Sequence, residues 1–261
     1  MNPIETNPFQ EFFEEDKYVG LKNYSYNYLL RKMAVEKSLQ TQNPGLILEV
    51  GIGISPMMTD TQRVIYLDLF YTALKILKRL NGKGEYVVAD SICLPFKTGI
   101  FTQTITSEVF EHLADDRRAI HEIARVMKPS GRFIITFPHR KFYFAIDDRF
   151  VGHFRRYELP EMLDRLKNAG FKPVFIQKVL GPLEKITMCF FVFSYKMIQK
   201  IKPENETRIQ NVKRVNVFSL IFKWVNRCYM ILAWLDAKIM PRALSTVLLI
   251  NSIRLDRTDN K

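Results

Sequence analysis

Residues 48–56 read LEVGIGISP, an apolar strand that runs straight into Glu49-x-Gly51-x-Gly53. Glycines at such a strand end let the backbone approach a bound ligand with no Cβ in the way. A dinucleotide site needs a third glycine opening onto a helix to hold a pyrophosphate, and here Pro56 takes that place while an acid stands just before the first glycine. The turn therefore points away from NAD and FAD.

Outward from that turn, short apolar runs alternate with helical spacing. Strands are expected at LILEVG (46–51), VIYLDL (64–69), YVVAD (86–90), TQTITS (102–107) and RFIITF (132–137), with helices at TALKILKRL and DDRRAIHEIARVM. Alternation of this kind implies right-handed crossovers and a mostly parallel sheet covered on both faces. A sixth strand is expected in FKPVFIQKV after a helix stopped at Gly170, and STVLLINSIRL (245–255) is a candidate seventh. Residues 9–40 fit one or two amphipathic helices before the sheet. The expected organisation is 1–42 as amino-terminal helices, 43–180 as the core, 181–243 as an apolar and basic helical insertion, and 244–261 as final strand and tail.

Strand-end acids supply the chemistry. Asp68 closes the second strand, at a distance from the glycine turn where a carboxylate accepts the ribose hydroxyls of an adenine nucleoside. Asp90 ends the third, placed to accept from an adenine amino group while Ile92 and Leu94 pack on the ring; a plain strand-end cap is the structural alternative.

LEVGIGISP, the Asp68 strand end, AD-x-x-x-LPF, ITSEVFEHL and EIARVMKPSGRFIITFP, in this order, resemble the successive motifs of class I S-adenosylmethionine-dependent methyltransferases of the small-molecule group. The resemblance covers about residues 45–180. It implies an α/β, doubly wound, seven-stranded mostly parallel sheet with the last strand antiparallel, and S-adenosyl-L-methionine as cofactor. Carried over by position, Glu49, Gly51 and Gly53 cradle the methionine part, Asp68 the ribose, Asp90 and Ser91 the adenine, and Ser107 and Glu108 lie near the sulfonium. Ser55 stands where many relatives have another glycine.

Methyl transfer needs a base only for a neutral acceptor such as a hydroxyl. His112 in VFEHL and His153 in GHFRRY are the catalytic candidates; His139 is weaker and His121 is expected on a helix. Arg149, Arg155 and Tyr157 are candidate acceptor contacts, and the cationic loop they share with Arg140, Lys141 and Arg156 either grips an anion or is a solvated lid. No CxxC, HExxH or carboxylate cluster points to a metal, and Cys93, Cys189 and Cys228 are read as reduced thiols.

The formal charge is +12, which invites an anionic partner. The amino terminus has acids where a signal peptide carries its basic region, so the catalytic part is expected in the cytoplasm. VNVFSLIFKWVNRCYMILAWL (215–235) has a narrow polar stripe through Asn216, Ser219, Lys223, Asn226 and Arg227, with a wide apolar face. With Lys196, Lys200, Lys202, Arg208, Lys213 and Arg214 nearby, it suits a helix lying on an anionic membrane at its inner face, with Trp224 and Trp234 near the headgroups. Domain cover or pairing in a homodimer is the alternative. The acceptor is expected to be a small molecule, apolar or lipid-linked. Nucleic acid is not the expected partner, because the positive residues sit among apolar helices and no recognition module is visible. A nucleotide-dependent oxidoreductase and a non-catalytic membrane-associated protein that keeps the fold are the rival readings.

Overall fold

A computed structural model describes residues 23–39, 45–59, 63–201 and 212–256. Seven strands form one sheet: β1 (Ile47–Val50), β2 (Val64–Asp68), β3 (Glu85–Val88), β4 (Phe101–Ser107), β5 (Met127–Pro138), β6 (Phe171–Leu180) and β7 (Val247–Arg254). Their spatial order is β3-β2-β1-β4-β5-β7-β6. The first five pair in parallel, and β7 runs antiparallel to both β5 and β6. The strand order reverses between β1 and β4, and in open α/β sheets the crevice outside the carboxyl ends at such a reversal is where ligands bind.

Helices cover both faces because the central strands are apolar on both. On one face, Ile120 and Ile123 of α3 (Asp116–Val126) and Met162 and Leu166 of α5 (Leu159–Asn168) pack on Leu48, Phe133 and Ile135. On the other, Leu30 and Val35 of α1 (Tyr26–Ser38) and Leu74 and Leu77 of α2 (Tyr71–Asn81) pack on Ile47, Tyr66 and Ile134. α1 is fastened to the last strand by Asn251, buried in β7, whose amide donates to the Ser38 carbonyl at 2.9 Å. α5 ends as expected at Gly170, whose φ of +84° is left-handed. His121 lies on α3, also as expected.

Between β6 and β7 stand two long helices, α6 (Pro182–Ile201) and α7 (Val212–Ile239). A short α4 (Ile146–Phe150) sits in the loop after β5. α7 rests on α1: Tyr26 and Tyr229 meet edge to face at 4.8 Å, and the Tyr26 amide donates to Asn226 Oδ1 at 3.3 Å. α6 and α7 are joined by Asp236, which accepts from the Leu183 amide at 3.0 Å. Among the described residues, no helix is long and apolar enough to cross a membrane. Residues 9–22 of the expected amino-terminal helices, and Lys202 and Arg208 of the basic cluster, lie outside the described residues. So do the side chains of Lys196, Lys200, Lys213, Arg214, Asn216 and Ser219.

Candidate active site

The glycine turn leaves β1 with Gly51 at φ +69° and Gly53 at +52°, both left-handed. A Cβ on Gly51 would lie 2.6 Å from Val109 Cγ2, so only glycine lets the turn close against the loop after β4. The Gly51 amide donates to Leu67 at 2.8 Å, and the Gly53 amide to Asp68 Oδ2 at 2.7 Å. Turn and strand-end acid are thus one unit, and Asp68 also holds the Phe70 amide at 2.9 Å.

Glu49 is turned beneath this unit. Its buried carboxylate accepts from the Met57 and Met58 amides, the latter at 3.1 Å, which ties the far side of the loop to β1. Burial pushes its carboxyl up to about 7, against the pull of those two amides. Asp90 lies just past β3 and caps the Ile92 amide at 3.0 Å, with Ser91 buried beside it. Leu69 and Phe70, more than two-fifths exposed directly after Asp68, were not singled out from sequence; an apolar pair behind a strand-end acid was their signal.

α1 closes the turn from above, a contribution its sequence did not announce. Tyr28 donates to the Pro56 carbonyl at 2.6 Å, Asn23 pairs with Ser55 at 2.9 Å, and Arg31 reaches Glu108 at 3.7 Å. Glu108 follows β4 at φ +56°, and Ser107 pairs with Thr136 of β5 at 2.8 Å.

The two candidate histidines come together. Their rings are 4.6 Å apart, with His112 on a single 3-10 turn after β4 and His153 in the loop after α4. Asp148 Oδ1 lies 2.8 Å from His153 Nδ1 and accepts from Arg156 Nε at 2.7 Å. Its other oxygen accepts from Lys185 of α6, which also donates to Asp147 at 2.6 Å. Burial opposes ionisation of Asp148, but these three donors hold its carboxyl well below the usual carboxylate range. Glu111, between the histidines in the fold, is wholly buried, and neither of its carboxylate oxygens accepts a hydrogen bond. Glu111, His112 and His153 each bring a metal-ligating atom within 4.8 Å of the others.

The acceptor contacts expected on the basic loop are placed differently. Tyr157 is fully buried and donates to Asp116 of α3 at 2.6 Å, so its hydroxyl faces the core and not an acceptor. Arg155 pairs with the same Asp116 at 3.2 Å. Arg140 pairs with Glu158 at 2.9 Å, Lys141 with Glu161 at 2.9 Å, and Arg156 with Asp148. These four cations are each paired with a carboxylate of the fold, while Arg149 is exposed and lies over Phe144 at 5.9 Å. His139 is buried on the Ser245 carbonyl at 3.0 Å, and burial lowers its ring pKa. A cleft of about 250 Å³ beside His121, Arg125 and Arg254 lies at the opposite, amino-terminal end of the parallel strands, remote from these groups.

A parallel sheet with this strand order, a glycine turn at its reversal and carboxylates closing the neighbouring strands define the nucleoside-binding methyltransferase fold. Residues 48–135 match the family described as a methyltransferase domain. A protein of Methanocaldococcus jannaschii is 27% identical over 189 residues, which is 71% of this chain and 80% of that one. A demethylmenaquinone methyltransferase of Thermotoga maritima is 30% identical over 111 residues, 40% of this chain and 48% of that enzyme, so this match spans about half of the relative. Among solved structures, a Haloferax volcanii methyltransferase in complex with the Trm112 activator superposes with a TM-score of 0.63 at 15% identity, over 96% of this chain and 99% of that one. These matches support a class I S-adenosylmethionine-dependent methyltransferase domain in this chain, with S-adenosyl-L-methionine as its cofactor.

Proposed function

We propose that the chain methylates a small apolar acceptor drawn from a lipid surface, with His112 and His153 facing that acceptor and residues 181–243 meeting the surface. The observation that carries this reading is the Asp148–His153 contact at 2.8 Å, which lies beside the loop after β4 and beneath α6, whose outer face is aromatic.

When bound, S-adenosylmethionine supplies a methyl carbon already activated by its sulfonium, so the protein's work is alignment and exclusion of water. The turn fits that cofactor: Gly51 has no room for a Cβ, and Asp68 is already aimed at the turn by the Gly53 amide. In this reading Gly51 and Gly53 hold the methionine part and Asp68 the ribose. Asp90, Ser91 and Ile92 hold the adenine, with Ser107 and Glu108 beside the sulfonium. Glu49 acts from beneath, by holding the loop at Met57 and Met58. Asp148 accepts a hydrogen bond from His153 Nδ1, which leaves Nε2 to take up the proton of a hydroxyl acceptor.

The lipid surface is argued from exposure. Phe190 is 70% exposed and Trp224 73%, with Phe191, Phe193 and Ile231 also more than half exposed. Apolar patches of this size on a basic chain mark an interaction surface. The quinone in the name of the Thermotoga relative is an acceptor of this kind. A homodimer covering the same helices is the competing occupant.

The test is methyl transfer from labelled S-adenosylmethionine to total cell extract, split into organic and aqueous phases. Label is expected in the organic phase with wild type and lost with Asp68→Ala, which also weakens adenosylhomocysteine binding by about tenfold or more, one to two hydrogen bonds to a charged acceptor. Label confined to the aqueous phase overturns the lipid acceptor, and undiminished binding by Asp68→Ala overturns the pocket.

A further inference from the structure

We infer that Glu111, His112 and His153 hold a divalent transition-metal ion of the zinc or manganese class beside the methyl-transfer site.

Glu111 has no solvent exposure, and neither carboxylate oxygen accepts a hydrogen bond. A buried carboxylate without donors is costly, and native folds supply such groups with a partner. What lies nearest is not a donor at hydrogen-bonding range: Oε1 stands 3.8 Å from His153 Nε2. Two atoms each about 2.1 Å from one ion lie about 3.0 to 3.4 Å apart, so this pair closes on a metal with a shift of about 0.4 to 0.8 Å, and an atom at the outer limit of the trio with one of somewhat more than an ångström. The third ligating atom, from His112, lies within 4.8 Å of the other two.

His153 is oriented as a ligand. Its Nδ1 lies 2.8 Å from Asp148 Oδ1, a carboxylate that also accepts from Arg156 and Lys185, and its Nε2 is turned to Glu111. A carboxylate behind a histidine in this way fixes tautomer and ring direction at metal sites. Nε2 and Glu111 Oε1 face one another across 3.8 Å in a largely buried space, where a cation fits between them. Glu108 adds to the case: its Oε1 is buried without a hydrogen bond, while Oε2 faces Arg31 at 3.7 Å. Two imidazoles with a carboxylate favour zinc, manganese or iron over magnesium and calcium, which prefer all-oxygen ligands.

Sequence reading found no metal motif because the third ligand stands far along the chain, at 153. Three protein ligands leave coordination positions for an acceptor oxygen, whose proton a bound cation loosens. That last role rests on the function proposed above and makes His153 a ligand, not a free base; the metal site itself does not depend on it.

The full chain, stripped with chelator and desalted, is titrated with zinc chloride by calorimetry and with manganese chloride by electron paramagnetic resonance. One ion per chain is expected, with affinity at least about tenfold lower in Glu111→Gln and in His153→Ala. Either ion should raise the melting temperature of wild type and leave both variants unmoved. Without metal, Glu111→Gln should melt no lower than wild type, since it keeps the side chain's shape and removes a buried carboxyl that has no hydrogen-bond partner. Absence of stoichiometric uptake by folded wild type overturns the site, as does uptake unchanged in both variants. A metal-free Glu111→Gln that melts lower than wild type also overturns it, because it marks a proton shared between Glu111 and His153. Adenosylhomocysteine binding, measured in chelator, reports the cofactor pocket separately: its loss in wild type counts against the proposed function and leaves the metal result standing.

Discussion

Asp148 accepts at once from His153, Arg156 and Lys185, while Glu111, three residues' reach away across His153, accepts from nothing. The same environment thus holds one carboxyl far below its ordinary range and pushes the other well above it, by donors in the first case and by burial in the second. Glu49 is a third case, pushed up to about 7 by burial from an ordinary 4.5. Because its folded pKa lies above the unfolded one, the folded state binds the extra proton between those values, and stability falls as pH rises through that window. Unfolding by urea should show a loss of up to about 3 kcal/mol between pH 4.5 and 7 in wild type, and a smaller loss in Glu49→Gln. An unchanged profile in Glu49→Gln would show that the carboxylate is ionised in the fold throughout. Asp68, Gly51 and Gly53 were legible as residues because a positive φ and a strand-end acid leave local marks. Glu111 was not, since nothing near it in the chain reveals that it is sealed from solvent.

At the scale of elements, α6 is attached to the active-site loop through one side chain. Lys185 is buried and donates to both Asp147 and Asp148 of α4, 38 and 37 positions away. Removing one member of a buried ion cluster leaves the others uncompensated, at about 3 to 5 kcal/mol. Lys185→Met should therefore lower stability by about that amount in chemical unfolding, whereas a surface lysine such as Lys167 changed to Met should shift it by less than about 0.5 kcal/mol. Equal effects would show that α6 is not held by this contact. The helical spacing of α6 and α7 was legible, but their inward face was not. α7 turns Asn226, Tyr229 and Ala233 to α1, buries Ala237, and leaves Trp224, Ile231 and Leu232 exposed.

For the whole molecule, the exposed aromatic face of α6 and α7 and the +12 formal charge lead to one expectation. The chain should float with vesicles containing anionic phospholipid and not with neutral ones, and Phe190→Ser with Trp224→Ser should reduce flotation several-fold with little change in melting temperature, since both side chains are exposed. Retention of flotation by the double variant would point to another surface, and a concentration-dependent dimer by light scattering, abolished by the same pair, would assign the face to a second subunit.

Strand and helix periods, the glycine turn and the strand-end acids could be read from the chain alone, because each depends on dihedral preference and on neighbours a few positions apart. The destination of the basic loop, the burial of Tyr157 against Asp116 and the meeting of Glu111 with His153 came only from the packed molecule. The last two join positions some forty residues apart, and their separation in space is fixed by how the whole sheet and its covering helices fill volume, not by any local preference.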